Sequence, residues 1–379
     1  MNINKELYKE IFNHNIYRNN YLDLAGLNNI QIEQHWLKYG KKEGRVYNID
    51  ISKKRIYIVC NISAGGTGKY VADLIANRGN LECVIINTRQ KLYSYMYNKC
   101  DYIMIQQLIN TNILASDLIN IKMKYGCKMV ITIHDYYWLN KNIYYTKNNF
   151  CPHKVYMYNI PIIKEVIHLF GIVDTVIHPT KFTYDEYSKR MNNKNFQIVP
   201  HIDYKCDLDR IYVPKINNSI NIGVLHQKSE YKGSQFVSYL MNTYRSFRGK
   251  AINYYVVDVT IPKYKECEFN SILTRYNIHG LLLLNKWGET WSYLLTKCLN
   301  SGLSILYNNI GAYKYRIKPL ANRFIAGDRD DMIDVNSLRV SYEKMLMYLI
   351  ENGVNGKRDW KEGTEIIKDE FYINIFSDK

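Results

Sequence analysis

What is missing narrows the reading first. No stretch of the 379 residues reaches the ~18 or more uncharged apolar residues that a membrane-spanning helix needs. Met1-Asn2-Ile3-Asn4-Lys5 leads into nothing like a secretory signal, so a cytoplasmic protein is expected. The eight cysteines, Cys60, Cys83, Cys100, Cys127, Cys151, Cys206, Cys267 and Cys298, form no Cys-x-x-Cys pair and no zinc-like spacing. They read as reduced thiols, mostly in the core, and Cys151-Pro-His153 offers too few ligands for a metal site. A dense Lys/Arg block, an RNA-binding aromatic motif and a zinc finger are all lacking, which argues against nucleic acid despite a net charge of +16 from 51 Lys+Arg against 35 Asp+Glu. That charge is spread along the chain and predicts attraction to anions, such as phosphorylated ligands or an anionic membrane surface met peripherally. Neither an internal repeat nor a low-complexity tract is visible.

What is present is length enough for two domains with real cores, since single cores seldom grow past ~250–300 residues. Residues 1–50 read as a small helical module: Tyr17, Tyr21, Leu22 and Leu24 precede an apolar-periodic stretch from Ile32 to Tyr39, with Gly40 expected to end that helix. His35 is expected to pack beside Trp36. Residues 51–205 open with a strand, Arg55 to Cys60, a glycine-bearing turn and a helix from Thr67 to about Asn77. Short apolar strands and helices then alternate through Ile86, Ile105, Lys124 and Ile133, which argues for a mostly parallel, doubly wound sheet with ligands at the strands' carboxyl ends. Asp203 to Asn218, charged and poorly periodic, is read as the connector to a second unit, 206–379. That unit has strands at Ile220 to Leu225, Ala251 to Val256, Leu281 to Leu284 and Leu303 to Leu306, and a closing helix from Tyr342 to Glu351. Its tail, through Trp360 and Phe371, is expected to return to the first domain.

Several places carry chemistry. Gly65 and Gly66 let backbone amides approach a ligand closely. A Walker A loop would need Gly at Ser63 and Ser or Thr at Tyr70, and the three glycines 65, 66 and 68 lack dinucleotide-fingerprint spacing. A nucleotide hydrolase of the P-loop type is therefore disfavoured. His134-Asp135-Tyr136-Tyr137 falls directly after the strand ending at Ile133, and His201 after the strand ending near Pro200. Lys232-Gly233 opens a helix, where a lysine and free amides can neutralise an anionic ligand; His226 and Lys228 are nearby candidates for phosphate contact. Trp287-Gly288-Glu289-Thr290-Trp291 places one carboxylate after a glycine, beside the amides of a helix start.

These motifs, from roughly Arg55 to Ile317 and in this order, resemble retaining glycosyltransferases of the GT-B type, family four, most nearly the bacterial O-antigen and rhamnan-type sugar transferases. The likeness rests on Gly65-Gly66-Thr67 with Tyr70-Val71 and Asp73-Leu74, on His134-Asp135-Tyr136-Tyr137, on Lys232-Gly233, and on Glu289-Thr290-Trp291-Ser292-Tyr293 followed by Gly311-Ala312. It implies an α/β fold in which two Rossmann-like domains face each other across a cleft. It also implies transfer of a sugar from a nucleotide-diphosphate sugar to a glycan, lipid-linked or protein-linked acceptor, with retention and with neither metal nor cofactor. Glu289, His134 and Asp135 would then be catalytic; Gly65, Gly66, Lys232, Gly233, Thr290, Trp291 and Lys297 would bind the donor, with Tyr136, Tyr137 and His201 on the acceptor side. The chain departs from the family's pattern at Lys297, where the family carries a second glutamate for the nucleotide ribose. That departure keeps a second reading open, a carbohydrate- or nucleotide-sugar-binding protein that has lost turnover.

Overall fold

The computed structural model describes residues 12–43, 45, 47, 55–61, 65–76, 82–95, 97, 101–139, 161–201, 216–226, 229–327 and 333–354. Cys100, Cys151, Cys206, Lys228, the segment 140–159, most of the expected connector and the tail beyond 354 lie outside those residues.

Six strands make the first sheet: β1 (Arg55–Val59), β2 (Glu82–Ile86), β3 (Tyr102–Ile105), β4 (Lys128–Thr132), β5 (Thr175–His178) and β6 (Phe196–Ile198). Their order is β2-β1-β3-β4-β5-β6 and every pairing is parallel. Such strands must be apolar on both faces, and β1 shows how. Tyr57 and Val59 enter one core cluster while Ile56 and Ile58 enter the cluster on the opposite face. The helix Gly66–Ala76 covers the second face with Tyr70, Val71 and Leu74.

The second sheet is built from β7 (Ser219–Val224), β8 (Ser246–Phe247), β9 (Lys250–Val256), β10 (Gly280–Leu283), β11 (Ser304–Asn308) and β12 (Arg323–Gly327). Its order is β12-β11-β10-β7-β9-β8, parallel except for β8. Its core takes in Leu281, Leu282 and Leu283 of β10 together with Leu338, Tyr342, Met345 and Leu349 of the helix Val335–Asn352. That helix packs on β11 and β12, within its own domain.

The small module at the start has a core of its own, Phe12, Tyr17, Leu24, Ile32 and Trp36. Here the expectation for Gly40 fails. The helix Asn29–His35 runs on through a wider turn, Trp36–Gly40, to Glu43. Gly40 is required by packing instead, because a Cβ there would stand 2.0 Å from the Tyr17 hydroxyl oxygen. His35 packs as expected, its Nδ1 3.1 Å from the same hydroxyl.

Both sheets reverse direction of winding near their middles, β1/β3 in the first and β7/β10 in the second, and the loops leaving the carboxyl ends there converge. That is where a doubly wound sheet offers a crevice.

Candidate active site

The second domain supplies the charged centre. Leaving β10, Asn285 is fully buried, and its Nδ2 donates to Glu289 Oε1 at 2.7 Å. Lys232 Nζ forms an ion pair with the same oxygen and lies 5.4 Å from the centre of the Trp287 ring. Among the described residues both bonds fall on Oε1, which leaves Oε2 able to accept from a ligand hydroxyl. Lys232 reaches this point because the turn behind it is unusually tight. Gly233 caps the helix Ser234–Thr243 at φ +77, and a Cβ there would meet the Leu284 carbonyl oxygen at 1.9 Å.

Glu289 does not stand at a helix start. The helix Tyr293–Ser301 is capped by Ser292, whose side chain accepts from Leu295 N, and Ser292 takes φ 68, an unusual value for a residue with a side chain. Glu289 therefore sits in a loop before the helix, and that loop is braced from behind. Gly311, at φ 57, packs so closely that a Cβ would lie 2.4 Å from Gly288 Cα and 2.5 Å from Glu289 N. The next residue, Ala312, donates its N–H to Glu289 O at 2.7 Å.

From the first domain come two buried imidazoles and a carboxyl group. His134, after β4, has Nε2 2.6 Å from Gln106 Oε1, and burial pushes its imidazole down to about 3. Its ring centre lies 4.9 Å from those of Tyr70 and His201. His201, itself buried and stacked on Tyr293, is held well below the ordinary histidine value by burial and by the neighbouring His134 and Arg316. Burial moves Asp135 the other way, up to about 6, against the N–H of Tyr137, which donates to its carboxylate at 2.9 Å. At neutral pH the imidazoles are thus uncharged hydrogen-bonding groups.

The two domains meet over this centre. Tyr136 donates to Gly288 O at 2.7 Å, Thr290 Oγ1 to His134 O at 2.7 Å, and Thr180 Oγ1 to Thr290 O at 3.2 Å. A cavity of about 600 Å³ between them is lined by Gly65, Gly66, His134, Asp135, His201, Lys232, Glu289, Thr290 and Trp291, among others. A second cavity, of about 530 Å³, shares Lys232, Tyr293 and Leu294 with the first and is lined further by His226, Asp258, Lys263 and Lys297. Among the described residues, no group of three or more His, Cys, Asp or Glu is arranged to hold a metal.

The sequence candidates divide accordingly. Glu289 and Lys232 touch each other, Lys297 and His226 line the second cavity, and Gly233 shapes the turn without lining either cavity. Tyr136 is fully buried and serves the domain seam, and Tyr137, half-buried, lines neither cavity. Asn285 and Arg316 were invisible to motif reading; each acts through a tertiary contact that no local spacing announces.

No protein-family description and no curated relative matches the chain. Solved structures do. Sucrose-phosphate synthase from Thermosynechococcus elongatus is 10% identical and superposes with a TM-score of 0.60, covering 86% of this chain and 99% of its own. HepE of Anabaena, in complex with UDP and glucose, is 9% identical with a TM-score of 0.55 over 85% of this chain and 98% of its own. The lipopolysaccharide outer core galactosyltransferase WaaB is 10% identical, TM-score 0.53, over 85% and 98%. The likeness establishes the fold: two Rossmann-like domains facing across a cleft, the GT-B arrangement.

Proposed function

We propose that the chain transfers a sugar from a nucleotide-diphosphate sugar to a hydroxyl of a glycan, lipid-linked or protein-linked acceptor. One observation carries the reading: the Lys232–Glu289 pair at the junction of two adjoining cavities, where the carboxyl ends of both sheets meet. The cation at the junction suits a diphosphate, and the carboxylate facing the first cavity suits sugar hydroxyls that need an acceptor. The second cavity, with Lys297 and His226 on its wall, then takes the nucleotide. HepE, of the same fold, has been solved in complex with UDP-glucose.

In the proposed reaction the bond from the sugar's anomeric carbon to the diphosphate oxygen breaks and the acceptor oxygen bonds to the same carbon. Lys232 meets the charge that gathers on the departing diphosphate, the largest kind of contribution such a site makes. With retention, the diphosphate oxygen takes the acceptor's proton on the face it leaves. Neutral His134 and His201 hold hydroxyls of the reacting sugar or the acceptor without drawing off Lys232's counter-charge. Incubation with UDP-, GDP- and dTDP-sugars, followed by assay of released nucleotide, tests this; release that disappears in Glu289→Gln supports it. Binding of nucleotide sugar without release from any donor would favour the binding-protein reading, to which Lys297 on the nucleotide-side wall lends weight.

A further inference from the structure

Behind the acidic loop lies a five-residue helix, Ala312–Arg316, that does more than follow β11. Its first residue holds Glu289 O, and Gly311 just before it touches the backbone of Gly288 and Glu289. Its last residue holds the other end of the loop. Arg316 Nη1 donates to Trp291 O at 2.6 Å and Ser292 O at 3.0 Å, and Nη2 donates to Thr296 Oγ1 at 2.5 Å. The guanidinium also lies on the Trp291 ring, 3.6 Å from its centre. Tyr313, fully buried on the same helix, has its hydroxyl kept protonated by burial and by the nearby Glu289 carboxylate.

We infer that Arg316 is a positioning residue: it fixes the strained turn at Ser292 and, through it, the placement of Glu289 and Trp291 on the cavity wall. The physical case is geometric. Ser292 at φ 68 and ψ 93 is a backbone state that persists only when its surroundings over-determine it. Trp291 O and Ser292 O both accept from Arg316 Nη1, Nη2 is held by Thr296, and the guanidinium face covers the indole, so one planar group ties both sides of the turn. A lysine has the charge but neither the fork nor the flat face. The same turn begins the helix whose first residues, Tyr293 and Leu294, wall both cavities, so an error there displaces both sides of the site.

The inference rests on the transfer reading for its kinetic consequence, and its test keeps the two apart. Hydrogen exchange of the amides from 288 to 295 is compared among the wild-type chain, Arg316→Ala, Arg316→Lys and, in case the alanine variant folds poorly, Arg316→Gln. Faster exchange confined to this loop in the alanine and glutamine variants is expected, with the lysine variant no better protected. Under the transfer reading kcat falls by about a hundredfold, the loss a misplacement of about 1 Å produces, while KM for the donor stays within about threefold. Guanidinium added at a non-denaturing concentration is expected to recover part of kcat in Arg316→Ala. Unchanged exchange at 288–295 in the alanine or glutamine variant would overturn the inference. So would full protection and activity in Arg316→Lys, since charge alone would then suffice. If the wild-type chain turns over no donor, the transfer reading falls and the exchange comparison still decides the role of Arg316.

Discussion

Gly311→Ala should damage both stability and turnover, and the size of the damage can be built from the contacts around one methyl group. At φ 57 and ψ −138, Gly311 occupies a region nearly reserved for glycine, so an alanine there costs about 1–3 kcal/mol in backbone strain. Its Cβ would stand 2.4–2.5 Å from Gly288 Cα, Glu289 N and Gly288 C, all of them main-chain atoms. Carbon atoms rest at about 3.5–4 Å, so roughly 1 Å of movement is demanded. Gly288 has nowhere to go, since its own Cβ position is already 2.5 Å from the Phe182 ring of the first domain. Overpacking of this kind costs about 1–3 kcal/mol. Together the two effects reach about 2–6 kcal/mol, and at about 2–4 °C per kcal/mol for a domain of this size the melting temperature should drop by roughly 4–24 °C. Displacing Glu289 by about 1 Å should cut donor turnover by about a hundredfold. Gly249→Ala separates the two causes: it shares a positive φ of +75, but a Cβ there meets nothing within 4 Å. It should cost only about 1–2 kcal/mol, with turnover intact. Calorimetric melting and a donor-release assay on both variants are sufficient. A Gly311→Ala protein that melts and turns over like the wild type would refute the contact argument and the placement of Glu289 with it.

Other expectations follow from the same geometry. Lys232→Ala should lower turnover by a factor of about 10²–10³ with the fold retained, as measured by donor release beside circular dichroism. Glu289→Gln should lower turnover with little change in nucleotide diphosphate affinity, whereas Lys297→Glu, on the second cavity's wall, should change mainly that affinity; calorimetric titration with UDP, GDP and dTDP separates the two. Stability should fall as pH drops from 6.5 towards 3, because His134 and His178 fold with values near 3 against an ordinary 6.5, so the unfolded chain binds protons first. Asp135, raised to about 6, acts in the opposite direction and offsets a part. Urea melts across this range should show the loss, and His178→Phe should flatten it, since among the described residues neither nitrogen of that buried ring has a hydrogen-bond partner. Gly40→Val, whose Cβ must displace the Tyr17 hydroxyl, should unfold the small module while donor release persists.

The central strands were legible because a parallel strand covered on both faces has to be an unbroken apolar run, as in Ile56 to Val59 or Leu281 to Leu283. Edge elements carried a weaker signal: β8 is two residues long, and β12 has exposed Ile325 in its middle, so neither stood out from loop. Gly40 misled because a glycine demanded by the Tyr17 side chain looks, in sequence, like one that ends a helix. The motifs that carry the resemblance singled out Glu289, Lys232 and His134, which line one cavity, but not the residues that hold them there. Asn285 four residues before Glu289, and Arg316 beyond an intervening strand, become partners only after the chain has folded. Tyr136 shows the converse, since a strand-end position that suggested ligand contact turned out to join the domains.

That junction has a consequence for the order of events in a catalytic cycle. Tyr136, His134 and Thr180 all bind main-chain or side-chain atoms of Gly288 and Thr290, on either side of Glu289. Parting the two domains at this cleft would break these contacts, at about 0.5–1.5 kcal/mol each. Under the proposed transfer, the loop carrying Glu289 would serve as latch as well as sugar contact, and an opening of the domains would take the site apart. If transfer proceeds as proposed and product leaves by domain opening, then a viscous solvent or a weakened latch, as in Tyr136→Phe, should act on the release step and leave a single bound turnover at its original speed.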